Sequence, residues 1–422
     1  MGSFFKRKKQ SNSPDNISEE ISFETLKQLI PIRNLSDDKL RAYAIEHKAE
    51  VLTAGEILFS INEDSDTAIY LLKGIVSLSD GRNSEYETNA ADEKAKFPLS
   101  SGIKHTTTAT AKSDISILRV SKKIMSFNSE AQQAFELKIP HEFSQNRILQ
   151  LFAQYFDEGE LDIPSLPAIA INLRQAIEKE IGIEEVVKIV QIDPVISAKL
   201  IDVANCPLYI TAVPTKSCFD AVKKVGINAT RSLVTSLSLK NIFKSDSVKI
   251  KALLNDLWKN SLQLSSLSFV LSAESKQKKP EEALLAGLVC DIGAIPFFNF
   301  IANLPAEYYN EEEIKQALPI VKPIVGASIL KDWGFAEEFI QVALFSDDWY
   351  QDTEDSLSYT DIVVLSRLHS KIGKKQLAGT PPITSIPAAS KLKNFELSPE
   401  NSLRILHDAH DKINDTLRAL SV

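Results

Sequence analysis

The hydrophobic pattern changes its period once along the chain, near residue 129, and that change limits what the chain can fold into. Between about Glu50 and Leu118, short apolar stretches alternate with turn residues: Val51-Leu52, Ile57-Leu58-Phe59, Ala68 to Leu72, Ile75 to Leu78 and Ile115 to Val120. Successive side chains of a strand point to opposite faces, so short apolar runs punctuated by turns predict a β-rich domain. Thr53-Ala-Gly-Glu56 and Lys73-Gly74 supply turns, Ser79 to Lys96 is polar and reads as a loop, and Phe23 to Glu46 reads as a helical segment. After Ser129 apolar residues recur at helix spacing nearly to the end, with proline and asparagine at the breaks. The predicted fold class is multidomain α+β, a β-rich N-terminal domain followed by an all-α domain.

A chain of 422 residues exceeds the usual span of one hydrophobic core. The pattern divides it into a disordered basic tail at 1–22, the β-rich domain at 23–128, and a connecting helix at 129–158, interrupted at Pro140. A helical body at 159–350 follows, then a helical extension at 351–422 that crosses Pro381, Pro382 and Pro387 and closes with an amphipathic helix from about Pro399. With 44% apolar and 25% charged residues, this is the composition of a soluble globular protein. Cys206, Cys218 and Cys290 show no CxxC spacing, which argues against a disulfide framework or thiolate zinc site and fits a reducing cytoplasm. The start, MGSFFKRKKQ, is basic without a following apolar stretch of signal-peptide length, and no later run approaches the ~20 residues that would span a bilayer. Lys6 to Lys9 suit a solvated tail or one drawn to anionic lipid, and the net charge of −8 argues against a broad nucleic-acid surface.

Glu50 to Phe59, followed by Ala68 to Leu78, resembles the cyclic nucleotide-binding domain over roughly 100 residues, which implies an N-terminal β-roll flanked by helices, with Gly55 and Gly74 at tight turns between strands. In that family a glutamate holds the ribose hydroxyl and an arginine pairs the cyclic phosphate. Matching the family's phosphate cassette to Phe97 to Ala111 puts Lys96 at the glutamate and His105 at the arginine. A lysine accepts no hydrogen bond and a neutral imidazole is no permanent bidentate cation, so a cyclic nucleotide is not the expected ligand. Two readings stay open: Lys96, Lys104 and His105 grip another anion, or the pocket is vestigial and the domain is an interaction module.

Ile163-Pro-Ser-Leu-Pro167, then Ile189 to Asn205 containing Asp193-Pro194, then Ala221-Val-Lys-Lys-Val-Gly226, resembles the HDOD family, a signalling offshoot of the HD phosphohydrolases. Those enzymes bind metals through histidines and aspartates to activate water and offset phosphate charge. The resemblance puts Asn260, in a gap of the stripe 253, 257, 264, 267 and 271, at the first histidine. It puts Cys290-Asp291 at the His-Asp pair, Lys322 at the next histidine and Asp347-Asp348 at the paired histidines. Arg367 stands at the last aspartate, with Asp361 as the competing choice. Lysine and arginine cannot ligate a cation, so no metal or other cofactor is expected. Either Lys322 and Arg367 replace the metal electrostatically beside Asp291 or Asp347, or the side chains splay independently to solvent.

Cys290 reads as a buried small side chain rather than a soft ligand or redox thiol. His407-Asp-Ala-His-Asp411 holds two literal His-Asp pairs on one predicted helix face, outside the family's metal motif, and reads as helix surface. No P-loop, GxGxxG fingerprint or nucleophile elbow occurs. The resemblance implies a non-catalytic, bacterial-type signalling protein that works through an unidentified regulatory protein partner, with self-association left open. The alternative is a phosphohydrolase or cyclic-di-nucleotide phosphodiesterase with an unconventional site around Asp291 and Asp347.

Overall fold

Alternation and β-branching do produce strands over the N-terminal part of the chain. The computed structural model describes residues 18–420 apart from 83, 126–134, 160, 162, 207–208, 210–213, 244–246, 309, 353 and 375–377. The basic cluster of the predicted tail and the predicted boundary at 129 lie outside the described residues, but the end of that tail is ordered, because Ser18–Glu20 pairs as a strand with Lys48 to Glu50. The chain falls into two compact units, Met1–Met125 and Ser126–Val422.

In the first unit, β1 (Ser18–Glu20), β2 (Lys48–Leu52), β8 (Ile115–Ser121) and β4 (Thr67–Lys73) form one antiparallel sheet in the order β1-β2-β8-β4. β3 (Ile57–Phe59), β7 (Thr108–Ala111), β5 (Ile75–Ser79) and β6 (Glu85–Asn89) form a second, in the order β3-β7-β5-β6. Phe59, Ile69, Val76, Leu78, Leu99 and Ile117 are among the residues that fill the core. Gly74 turns β4 into β5 at φ +84°, and a Cβ there would lie 2.3 Å from the Asp114 carbonyl oxygen, so both conformation and space demand glycine.

Two expectations for this unit need correction. The predicted loop from Ser79 to Lys96 contains β6, an edge strand paired with β5 from Ile75↔Asn89 to Ser79↔Glu85. Its side chains are mostly polar because backbone groups make the pairing, and an edge exposes much of its surface to water. The predicted helix from Phe23 to Glu46 is two helices, α1 (Phe23–Leu26) and α2 (Asp37–Glu46), the second capped by Ser36, whose Oγ accepts the Lys39 N–H at 3.5 Å.

The second unit is helical. Asn146 caps α3 (Arg147–Asp157) by accepting the Leu149 N–H at 2.9 Å, and its own amide donates to the Glu313 carbonyl at 2.9 Å. Phe152 of α3 meets Phe297 and Phe300 edge-on at 5.2 and 5.3 Å. The predicted connecting helix is therefore part of this body, and its described residues before Pro140 are not helical. Next come α4 (Ala168–Glu178), α5 (Ile183–Gln191), α6 (Pro194–Ala204), α7 (Cys218–Val225) and α8 (Ile227–Ser238). Asp193 caps α6 by accepting the Val195 and Ile196 N–H groups, and Gly226 ends α7 at φ +90°.

The centre is built by α9 (Val248–Ser275), α10 (Pro280–Val289), α11 (Ala294–Ala302), α12 (Glu311–Asp332), α13 (Glu337–Phe345) and α14 (Tyr359–Gly373). Three short helices close it: α15 (Pro387–Ser390), α16 (Arg404–Asp408) and α17 (His410–Leu420). Ser261, Ser265, Ser268 and Ser272 of α9 are all fully buried. Small residues let helices approach closely: a Cβ on Gly287 of α10 would stand 2.8 Å from the Leu264 carbonyl oxygen, and Ser265 Oγ donates to the Leu284 carbonyl at 2.7 Å. Ser268 Oγ reaches Ser366 Oγ of α14 at 3.2 Å, so residues past 350 share this core.

Pro280–Ala302 is apolar enough over 23 residues to pass for a membrane span, which the sequence reading missed. The structure breaks it into α10 and α11, and 89% of its most apolar window is buried within the protein.

Candidate functional site

Four charged side chains converge from four separate stretches of the helical unit. Asp291 lies in the turn after α10, Lys322 in mid-α12, Asp347 just past α13 and Arg367 on α14. Gly293, two residues beyond Asp291, makes the approach possible: a Cβ there would sit 2.1 Å from the Lys322 carbonyl oxygen and 2.4 Å from Gly326 N. Glycine at 293 therefore lets the backbone of α12 lie against the Asp291 turn.

Lys322 Nζ lies 2.6 Å from Asp291 Oδ1 and also pairs with Asp347 Oδ2. Arg367 takes Asp291 with both terminal nitrogens, Nη2 to Oδ1 at 3.0 Å and Nη1 to Oδ2 at 3.3 Å, and reaches Asp347 Oδ1 at 3.2 Å. Two cations and two carboxylates thus close a neutral square. The Asp291, Lys322 and Arg367 side chains are 7%, 10% and 14% exposed, whereas Asp347 is 34% exposed and forms the open edge.

Burial by itself would raise the Asp291 carboxyl, but Arg367 and Lys322 outweigh it and hold the group well below the usual carboxylate range. Asp347 is lowered for the same reasons. Burial would likewise lower Lys322, yet Asp291 and Asp347 pull it above the usual lysine value. Burial pushes the Cys290 thiol up to about 12; its Sγ donates to the Gly287 carbonyl at 3.3 Å, with Arg367 Nη2 at 3.4 Å on its other side. A thiol held protonated is neither nucleophile nor metal ligand at neutral pH.

The other expected site residues lie elsewhere. Asn260 is exposed, and its amide oxygen accepts from Lys374 Nζ at 3.4 Å. Leu264, Leu267 and Leu271 of the stripe are buried, but Leu253 is 38% exposed and α9 also buries Leu254 and the serine column, which an apolar count does not register. Asp348 accepts the Tyr350 N–H at 2.9 Å and joins no ion pair among the described residues. Asp361 is wholly buried in a second network: it completes a capping box with Ser358, accepts from Gln351 at 2.6 Å and pairs with Lys391 Nζ at 3.2 Å. Lys391, itself wholly buried and 2.9 Å from Asp352, was missed because partners tens of residues apart leave no periodic signal. His407 and His410 are both exposed, and a break at Ala409 puts them on α16 and α17 rather than on one helix.

In the N-terminal unit, the three expected anion contacts are each engaged otherwise. Lys96 Nζ lies 2.7 Å from Glu93 and Lys104 Nζ 3.7 Å from Asp64. His105 is buried, stacked on Phe59 at 4.0 Å with Nδ1 2.8 Å from Ser100 Oγ, and burial, helped by Arg119 and Lys122 against Glu63, lowers it to about 4. A neutral imidazole in that position supplies no charge to a phosphate.

The HDOD domain family matches the chain over Ile163 to Trp349, the stretch that carries Asp291, Lys322 and Asp347. Residues 163–349 are an HDOD domain. The fold of this unit is shared with a Shewanella amazonensis protein named as a candidate metal-dependent phosphohydrolase, at 23% identity and a TM-score of 0.58, covering 66% of this chain and all of that one. A cyclic nucleotide-binding-like protein from Brucella abortus is similar at 22% identity over 24% of this chain and 91% of its own, with a TM-score of 0.20. An uncharacterized protein of Treponema pallidum (strain Nichols) is 21% identical over 256 residues, 58% of this chain. That match spans 48% of the relative, so this chain covers about half of its length.

The donor set of this HDOD domain does not fit a divalent cation. Both oxygens of Asp291 are taken by cations, and among the described residues no group of three or more His, Cys, Asp or Glu side chains is arranged to hold a metal. A dication about 4 Å from Lys322 or Arg367 would be repelled by roughly 8 kcal/mol from each at an effective dielectric near 20.

Proposed function

We propose that this chain is a non-catalytic signalling protein that acts in the cytoplasm through protein interactions of its HDOD domain. The observation that carries the reading is the pairing of Lys322 and Arg367 with Asp291 and Asp347. The two carboxylates best placed to hold metal or activate water are neutralised by fixed cations, so hydrolysis has neither a Lewis acid nor a free base there. A square of this kind keeps the fold closed without metal and leaves the helical surface as the working part. The N-terminal β-unit is proposed as a degenerate sensor or interaction module, since His105 has become a core side chain. Three free, buried cysteines fit a reducing compartment.

The test joins metal analysis of the freshly purified full chain to hydrolysis of bis(p-nitrophenyl) phosphate and cyclic dinucleotides with added manganese or iron. We expect no stoichiometric metal and no turnover above that of Asp291→Ala. Stoichiometric metal with turnover that Asp291→Ala abolishes would establish the phosphohydrolase reading instead. The interaction half is tested by affinity capture from the native cell with the intact chain as bait, and a partner retained by the chain lacking residues 163–349 would contradict it.

A further inference from the structure

The helical unit contains a cavity of about 290 Å³ that shares no residue with the Asp291 square. Its walls come from α4, α8, α10 and the α12–α13 turn. The volume lies near the lower end of pockets that take small organic molecules, roughly 300–1,000 Å³.

The cavity's chemistry is divided. Leu285, Phe335 and Phe339 form an apolar wall, with the two phenylalanine rings edge to face at 5.5 Å. Arg231, Ser232 and Thr235 of α8 and Arg174 of α4 supply the polar side. Arg174 is tethered: its Nη1 donates to the Trp333 carbonyl oxygen, the guanidinium lies against Gly334, and Nε stands 3.9 Å from Glu178 at the exposed rim. Arg231 makes no hydrogen bond or ion pair with any described residue. Its charge helps lower Glu282, a carboxylate that already accepts from Tyr359 at 2.6 Å and Lys279 at 3.0 Å.

Ser232 and Thr235, 2% and 6% exposed, line the cavity one and four residues along α8 from Arg231. Arg231 is half-buried and makes no ion pair with a described residue, so a guanidinium and two hydroxyls on one helix face offer charge-assisted donors to a ligand held in this cavity.

We infer that this pocket binds a small organic anion with an apolar, aromatic-sized body. The carboxylate or phosphate head sits on Arg231 with the Ser232 and Thr235 hydroxyls, and the body lies against Leu285, Phe335 and Phe339. A neutral apolar ligand would desolvate the guanidinium without pairing it, which selects for charge. Glu178, 66% exposed at the rim, offsets only part of the charge of the two arginines and favours a monoanion over a highly charged polyphosphate. Such a ligand would touch α10 and α13, the helices that lead into Asp291 and Asp347.

The experiment titrates the full chain by calorimetry with naphthoate and naphthyl phosphate as anionic probes and naphthalenemethanol as the neutral analogue. At least one anion should bind saturably, about tenfold or more tightly than the alcohol, which is the worth of a charge-assisted hydrogen bond. Arg231→Gln should reduce the anion to the affinity of the alcohol, and Thr235→Val, which keeps the volume, should weaken the anion while sparing the alcohol. Equal affinity for alcohol and anions, no saturable anion binding up to about 10 mM, or an unchanged anion affinity in a folded Arg231→Gln would overturn the inference.

Discussion

Asp291→Asn probes the charge square directly. It keeps the side-chain shape and leaves Lys322 and Arg367 facing a single carboxylate, Asp347, whose side chain is 34% exposed. Removing one partner of a buried ion pair costs about 3–5 kcal/mol because the remaining charge is left uncompensated. In a helical unit of roughly 300 residues that corresponds to a fall in Tm of about 5–10 °C. Adding Lys322→Met restores the balance to one guanidinium against one carboxylate. The double variant is therefore expected to be more stable than Asp291→Asn by about 1–3 kcal/mol, although it carries one more core substitution. All three tryptophans, Trp258, Trp333 and Trp349, lie in the helical unit, so denaturant titration followed by tryptophan fluorescence reads this unit alone. A double variant that loses the sum of the two single losses would refute the argument, because independent side chains add.

The same residue sets an acid dependence. Asp291 is lowered in the folded protein against an unfolded value of about 3.9. Its contribution is thus fully present above that value and is lost as pH falls through the acid range, a slope Asp291→Asn should lack.

His105, lowered to about 4 against about 6.5 unfolded, should make the β-unit fully stable above pH 6.5 and cost it about 3 kcal/mol by pH 4, because only the unfolded chain takes up the proton between them. Hydrogen exchange of peptides from β3 to β8 in the intact chain checks this, and the same slope in His105→Gln would contradict it. Gly293→Ala should destabilise the helical unit by more than the 1–3 kcal/mol typical of overpacking, since its Cβ meets backbone rather than a movable side chain. A Tm within a degree or so of wild type would show that α12 does not press on that turn. Cyclic AMP at about 1 mM should leave the Tm unchanged, and a saturable rise in thermal shift would reinstate a phosphate grip around Lys96 and His105.

Much of the fold was legible because hydrophobic period reports which faces are buried. β4, β5 and β8 stand where short apolar runs ended in turns, and α6 starts at Asp193-Pro194, where a cap and a first-turn proline announce it. β6 was not legible, since an edge strand needs backbone partners more than apolar side chains. The exposure of Asn260 was not legible for a related reason: α9 packs through a column of serines, and close approach, not hydrophobicity, selected that face.

For the site itself, the sequence alone determined which charges the chain has to place: Lys322 and Arg367, and Asp291 and Asp347. Whether those charges meet was a matter of tertiary structure. Lys322 is 31 residues from Asp291 and Arg367 is 76, and they reach one carboxylate because Gly293 lets the α12 backbone lie against its turn while α14 packs into the same core. An ion pair needs contact within a few ångströms, and no periodicity along a chain encodes the distance between helices that neighbour only in space.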